Sequence, residues 1–514
     1  MIELAGTARL TDVVAIADGA PVRVPDAVVE AVGRAHALTQ RLVAEAPTYG
    51  RTTGVGANKT AVVEDDGAHG LRLLRSHAVD AGAELPARAV RAMLAVRLNQ
   101  LCVAGSGVDP VVLPALERML NTDALPTVRA HASIGTGDLG ALAGTALTLM
   151  GERPATGPLE PMEPWNRDSA LPFISSNALT IGRACLVVDA LDRLDRAAAV
   201  VYALSFRGLD GNPSVLSPTA VRAAAAPGVD VVAGRALRLL GAGAGSAERS
   251  AGVEVGADAG AGVGVEAGAG VEAGAGVEAG AGVEAGAGEP ARIQDAFGLR
   301  VFPISQGAFT HALGTLAEQA GRVLGVAQEN PLFDLAGAAV VHHGAFHQAA
   351  LGLALDGCNL ALAQTGPLVM SRIGMLNEPA LTGLRPFLAT GPEGASGLMM
   401  AEYVAASALG ELRAAAQPAS LGSVSLSRGT EEDASFASQA VVQAERAVAA
   451  YRTLLACELV GAVRLLRQRG VDLHAGPLHD ALKVTAALPT DDTDRDLRND
   501  LELAENLLDA LAQI

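Results

Sequence analysis

Two glycine-rich stretches and a few polar side chains hold whatever chemistry this sequence can perform. Residues 48–60 read TYGRTTGVGANKT, and residues 132–140 read ASIGTGDLG and open directly into an Ala/Leu segment. The first is superficially like a phosphate-cradling loop, but the Gly-Lys-Ser/Thr ending and a preceding strand are missing, which argues against that chemistry. His342 and His343 with His347 come nearest to a metal cluster. Without a fourth ligand or an adjoining carboxylate, no metal is expected there. Zinc spacings and nucleophile elbows are absent from the sequence. Taken singly, Tyr49, His77 and Arg300 have plain structural readings: a capped loop residue, a satisfied helix histidine and an ion-paired arginine. Only their order along the chain, together with further segments, can raise them to a site.

The elements that must position these residues are helices. Half of the 514 residues are hydrophobic and only 3% aromatic, a composition with few β-branched runs that favours helix over sheet. Residues up to about 46 read as a short β-like segment followed by a helix. Apolar residues recur at three and four through 71–81 and 87–103, and helical text follows over 141–150, 177–209, 231–240, 310–327, 358–374, 398–416 and 439–468. Gly366-Pro367, Arg385-Pro386 and Gln417-Pro418 punctuate the later segments. Long helices without intervening strands predict a bundle whose central members are apolar nearly all round, and such bundles often oligomerise.

Between 241 and 290 a six-residue unit, AGAGVE, recurs with Glu266, Glu272, Glu278 and Glu284 in step. Glycine at that density disfavours helix and the regular glutamates disfavour stacked sheet, so a disordered surface insertion without catalytic residues is expected. The chain then divides into 1–240, with the active-site region and first bundle helices, the insertion 241–290, and 291–514, with the remaining bundle helices and a helical C-terminal region. The formal net charge is −18, and seven of the acids fall between Glu254 and Glu289. That balance argues against nucleic acid and anionic membrane as main partners. Cys102, Cys185, Cys358 and Cys457 share no metal spacing and read as buried small hydrophobes of a reducing compartment. Acids stand near the N-terminus where a secretion signal needs bases, and no uncharged, Gly-poor run could span a bilayer; a soluble, cytoplasmic protein is expected.

Tyr49-Gly50-x-x-Thr53-Gly54-x-Gly56 resembles the Tyr-Gly-x-Asn-Thr-Gly-Phe-Gly loop of the histidine/aromatic amino acid ammonia-lyase superfamily. Ser76-His77-Ala78 follows, then Asn99 with Gly105-Ser106-Gly107, Gly137-Asp138-Leu139 with Ala141-Leu142-Ala143, and Ser176-Asn177-Ala178 where the family has Asn-Gly-Thr. Gln294-Asp295-Ala296-Phe297-Gly298-Leu299-Arg300 is similar to its Gln-Asp-x-Tyr-Ser-Leu-Arg. Asn330-Pro331-Leu332, Gly344-Ala345-Phe346-His347 and Glu431-Glu432-Asp433 complete the set in family order. This histidine ammonia-lyase-like resemblance spans roughly residues 49–435. It implies a mainly α fold: a long central helical bundle of the fumarase/aspartase-like type, with a smaller mixed N-terminal region carrying active-site loops. It also implies a homotetramer in which each site draws loops from three chains.

Enzymes of this family eliminate the α-amine and a β-proton from an amino acid, using a methylidene-imidazolone made from their own Ala-Ser-Gly backbone. By resemblance Tyr49 is the β-proton base, which requires the site to depress a phenol whose ordinary pKa is ~10. Arg300 pairs the substrate carboxylate, Asn177 and Gln294 hydrogen-bond cofactor or substrate, Phe297 and Phe346 contribute to substrate binding, and His77 and Glu432 face a histidine-like side chain. Gly135-Thr136-Gly137 occupies the triad position in a loop one residue shorter than the family's. Gly135 would offer the carbonyl, Gly137 the nitrogen and Thr136 the hydroxyl lost as water, giving an alkene with an extra methyl. Phe297 replaces a tyrosine, Thr52 and Ala345 replace asparagines, and Ala434 stands near the place of a histidine. Two classes of function stay open. One is a carbon–nitrogen lyase acting on a polar or histidine-like amino acid, with a modified imidazolone or without one, including aminomutase, addition or cyclase reactions on the same scaffold. The other is a catalytically silent amino-acid-binding homologue.

Overall fold

Where apolar residues recur at three and four, the chain coils into helices that bury those stripes against one another. The computed structural model describes residues 1–64, 67–162, 165, 168–241 and 292–514; apart from Gly241, the AGAGVE insertion lies outside the described residues. The helices are α1 (Leu10–Ala17), α2 (Asp26–Glu45), α3 (His69–His77), α4 (Ala87–Leu101), α5 (Val112–Asn121), α6 (Leu139–Leu149), α7 (Ala170–Ile174), α8 (Ala178–Gly208), α9 (Pro218–Ala224), α10 (Val229–Leu239), α11 (Phe297–Arg300), α12 (Phe302–Leu324), α13 (Ala349–Leu376), α14 (Pro379–Thr382), α15 (Met399–Ala415), α16 (Ala437–Gln468), α17 (Pro477–Val484) and α18 (Arg498–Leu511). Short strands pair two by two: β1 (Ile2–Glu3) parallel with β2 (Val22–Arg23), β3 (Ala81–Glu84) antiparallel with β4 (Arg129–His131), and β5 (Leu332–Asp334) antiparallel with β6 (Ala339–Val341).

The expected central bundle is present. α16 packs against both α8 and α13 with α15 alongside, α12 covers α13, and α4 covers α8. Leu454, Leu455, Leu459 and Leu465 of α16 are fully buried, and each such leucine contributes about 1.5–3 kcal/mol. α8 is buried on almost every face. Its approach to α4 is close because Gly182 has no side chain: a β-carbon there would lie 2.7 Å from the Ala92 carbonyl carbon. The segment Ala170–Gly208 is long and apolar enough to cross a membrane, but it is the core of this bundle.

Two sequence expectations shift. Helical text over 71–81 stops at His77, and Ala81–Glu84 forms β3 instead. The β-like start is β1 paired with β2; the later strands, unforeseen where AGAE carries no apolar alternation, are short and peripheral. The helical text expected over 358–374 does continue through Gly366-Pro367, within α13. Packing of this stretch against Leu409 and Leu412 of α15 offsets the ~3 kcal/mol penalty of an interior proline.

Two ion pairs are sealed in the core. Arg372 bonds Glu458 through Nε–Oε1 at 2.6 Å and Nη2–Oε2 at 2.7 Å, and Arg97 Nη1 meets Glu329 Oε1 at 2.8 Å. The four cysteines are buried and unpaired, and burial pushes each thiol up to about 12.

Candidate active site

Residues 135–137 turn at the place where several helices begin. Gly135 and Gly137 have φ of +87° and +128°, and α6 starts directly after them with Asp138 at its N-cap. Asn177, the N-cap of α8, accepts the Gly137 N–H on Oδ1 at 2.9 Å and donates from Nδ2 to the Phe346 carbonyl at 2.6 Å. That second bond fixes which end of the amide faces the loop. Asp138 is fully buried, and its carboxylate accepts the Thr180 N–H at 2.8 Å and hydroxyl at 3.0 Å in the first turn of α8. Burial raises its pKa above the usual carboxylate range, while bonds from Ser133, Thr180 and Leu179 pull the other way. Two helix N-termini thus put positive partial charge beside the loop.

The opposite side of the loop is held by the segment entering α16. The Ser435 hydroxyl donates to the Gly135 carbonyl at 2.8 Å, Phe436 N–H to Ile134 O at 2.9 Å, and Gln439 Nε2 to Ser133 O at 2.8 Å. A β-carbon on Gly135 would lie 2.7 Å from the Ala437 nitrogen and nearer still to Ser435 Oγ. Gly135→Ala, which would recreate the family's alanine, is therefore expected to lower stability by about 1–3 kcal/mol through its left-handed φ alone, with the overlap added. Combining it with Ser435→Gly should recover only the overlap with Oγ, leaving the strain and the contact with the Ala437 nitrogen, as thermal unfolding of the single and double variants would measure.

The same segment reaches the tyrosine loop. Ser427 Oγ accepts the Ala57 N–H at 2.9 Å, and Leu426 and Glu431 form an isolated bridge. Tyr49 is half-buried; its hydroxyl accepts the Gly56 N–H at 2.7 Å and its own N–H donates to His342 Nε2 at 3.4 Å. Burial pushes the phenol above its ordinary value; the Gly56 N–H draws it back in part, and the charge of Glu431 adds to the rise. The expected depression of Tyr49 is thus not met within one chain. Behind it, the buried Arg51 donates to Ser106 O at 2.9 Å and lies 4.6 Å from the Phe333 ring centroid, with its pKa lowered to about 10 by burial.

His77, at the end of α3, bonds through Nδ1 to Leu73 O at 2.9 Å and Ser76 Oγ at 3.0 Å; α3 packs against α6, which follows the loop. Glu432 is exposed on the bridging segment beside Asp433, whose Oδ2 lies 3.4 Å from His347 Nε2. His343 is spent on Glu329 O and the Ala345 N–H, at 2.7 and 3.0 Å. Among the described residues no three His, Cys, Asp or Glu side chains gather as metal ligands. Asn99 ties Gly6 N, Ala8 N and Leu324 O together and is a structural clamp.

Gln294, Phe297 and Arg300 lie elsewhere. Arg300 Nη1 donates to Gln294 Oε1 at 2.6 Å and its guanidinium stacks 4.7 Å from the Phe297 centroid. α11 is fastened by Tyr202, whose hydroxyl donates to Leu299 O at 3.1 Å, and by Asp295, which accepts the Asn212 N–H at 2.6 Å just beyond the C-terminus of α8. Asn177 starts that helix, whose 31 residues correspond to about 46 Å of axis. One chain therefore carries Tyr49, His77, Gly135–Gly137, Asn177, Phe346 and Glu432 around one end of α8, and Gln294, Phe297 and Arg300 at the other. Phe297 is 61% exposed and Ile293 97%.

The chain belongs to the aromatic amino acid lyase family, which it matches over residues 8–487. A histidine ammonia-lyase of Streptomyces griseus is 30% identical over 507 residues, covering 94% of this chain and 91% of that protein. One from Symbiobacterium thermophilum is 31% identical over 483 residues, covering 90% and 88%. Tyrosine aminomutase from Streptomyces globisporus superposes with a TM-score of 0.84 at 25% identity, over 99% of this chain and 97% of its own. Ergothionase, an ergothioneine-degrading enzyme of Treponema denticola, gives 0.84 at 22% identity over the whole of both chains and shows the shared fold.

Sequence reasoning passed over Ser435 and treated Asp138 only as part of a motif. Gly135, where the family has alanine, leaves room for another group, but nothing in the sequence says that the group is Ser435.

Proposed function

We propose that this chain is a carbon–nitrogen lyase that removes the α-amine and a β-proton from a histidine-like or other polar amino acid, as a cytoplasmic homotetramer with composite sites. The observation that carries this reading is the hold on residues 135–137, with Ser435 on the Gly135 carbonyl and Asn177 on the Gly137 N–H. These residues suit an imidazolone built from the loop: a hydroxyl donor meets the carbonyl, an amide oxygen meets the N–H, and both glycines turn at positive φ. Such a group, when formed, supplies an electron-poor alkene that takes up the leaving amine.

The chain's own residues do the rest. Tyr49 takes the β-proton. Arg300, from a second copy, binds the carboxylate with its fork held by Gln294 and Phe297. Brought near Tyr49 in the assembly, the same cation favours the phenolate that one chain alone disfavours. Asn177 keeps the loop oriented, Phe346 backs it, and His77 with Glu432 receives the polar side chain. The second copy is required because no amino acid reaches both ends of α8. Residues 1–240 and 291–514 act as one bundle, with 241–290 as a spacer.

The test joins mass to a pH profile. Burial holds the Tyr49 phenol high in one chain; even drawn down by the second copy's Arg300, its basic form grows about tenfold per pH unit below its pKa. Log kcat/KM for the best substrate in an amino acid panel should therefore climb from pH 7 towards 10. Tyr49→Phe should lose roughly 10²–10⁴-fold in rate together with that slope. Turnover unchanged in Tyr49→Phe removes Tyr49 from the mechanism. An intact mass short of two waters marks the imidazolone; full mass with turnover marks a lyase that works without it, and full mass without turnover marks the silent binding homologue.

A further inference from the structure

We infer that Ser435 is the residue that drives closure of the 135–137 ring, acting as the oxyanion donor for the Gly135 carbonyl in space that a glycine at this position leaves open. This rests on the loop's reading as an imidazolone precursor. The Gly135 oxygen faces two donors, Ser435 Oγ at 2.8 Å and the Gln348 N–H at 3.4 Å. Gln348 is the N-cap of α13, and Ser435 directly precedes Phe436, the N-cap of α16. Both donors stand at positive helix ends, where negative charge growing on oxygen is favoured. Meanwhile the nitrogen that must attack presents its proton to Asn177 Oδ1.

Ring closure makes the Gly137 N–Gly135 C bond. The carbonyl π pair moves onto oxygen beneath Ser435, the N–H proton leaves past Asn177 to water, and the oxygen is reprotonated to a hydroxyl. That hydroxyl leaves with the Thr136 N–H proton as one water, which makes the double bond between the Gly135 carbon and the Thr136 nitrogen; the Thr136 hydroxyl leaves with the Thr136 α-proton as the second, which makes the exocyclic alkene. No oxidant or reductant is needed. Ser435 is 4% exposed, so its hydroxyl has little water to compete with the bond. Merely fastening the loop would not require it, because Phe436 N, Ser438 Oγ and Gln439 Nε2 already bind Ile134 O and Ser133 O. The space Ser435 Oγ occupies is that of an alanine methyl at 135, so donor and methyl exclude each other.

The experiment follows the mass of the full chain, and of its peptide containing 132–140, with time after synthesis. Wild type should acquire the two-water deficit. Ser435→Ala should acquire it on the order of 100-fold more slowly, Ser435→Cys, nearly isosteric with a weaker donor, at a rate between the two. Ser438→Ala, which loosens the loop without touching Gly135, should match wild type. If Ser435→Ala closes as fast as wild type, or if Ser438→Ala slows equally, the assignment to Ser435 is overturned while the imidazolone stands. A wild-type chain of full mass overturns the imidazolone reading itself and Ser435's part in it.

Discussion

Oligomers assembled from Tyr49→Phe and Arg300→Ala subunits regain turnover that neither variant shows alone. Tyr49 sits on a loop near the start of α8, whereas Arg300 stands on α11 beside Tyr202 and Asn212 near the end of α8. A site that needs both must take them from different copies. On the proposed roles each variant by itself spoils every site, Tyr49→Phe through the base and Arg300→Ala through the carboxylate clamp. Random mixing leaves about a quarter of the sites with both wild-type groups, so co-expressed subunits should recover roughly that fraction of wild-type kcat. The exposed Ile293 and Phe297 flanking Arg300 fit a surface that is covered on assembly. Mixed oligomers verified by mass that remain inactive would show that Tyr49 and Arg300 do not serve one site across copies.

Glu458→Gln should be the most damaging single change outside the site, at about 3–5 kcal/mol. The pair it breaks is almost wholly buried, and three further contacts depend on it. Ser205 donates to Glu458 at 2.7 Å, Arg372 Nη1 donates to Gly298 O at 3.0 Å, and the Arg372 guanidinium lies 5.3 Å from the Phe302 ring. Removing the negative partner leaves Arg372 as an uncompensated buried cation in the middle of α8, α13 and α16. Because Arg372 also holds α11 through Gly298, KM should rise more than kcat falls, as Arg300 loses its aim. Thermal midpoints at one protomer concentration would measure the stability loss. Arg372→Met with Glu458→Leu, an apolar pair of similar bulk, should lose much less; equal loss would mean that volume rather than charge is at stake.

The long helices were legible because burial needs only a stripe, and a stripe is visible in any stretch of α8 or α16. Their ends were less so. The Ala-rich text beyond His77 continues with helical composition, yet the chain must leave α3 there to lay Val79 against Gly140. Pro367 is tolerated inside α13 by neighbours on α15 that are far away in sequence. The site divides in the same way. Tyr49, His77, Asn177 and the glycine turn could be proposed from their order, and so could Gln294 and Arg300. That the two sets occupy opposite ends of one helix could not, since order along a chain says nothing of which copy supplies a neighbour. Ser435 was invisible for a simpler reason: a serine gains meaning only from the carbonyl it meets, and Gly135 is 300 residues away.

The four cysteines have a consequence for how the protein meets reactive surroundings. With Cys102, Cys185, Cys358 and Cys457 all inside and their thiols held to about 12, almost no thiolate exists at neutral pH for an alkylating or oxidising agent to find. Through its thiols the folded subunit is quiet towards such agents, and these four react only in molecules that have opened. Exposure of sulfur and loss of fold are then one event, and damage falls on copies that have already failed.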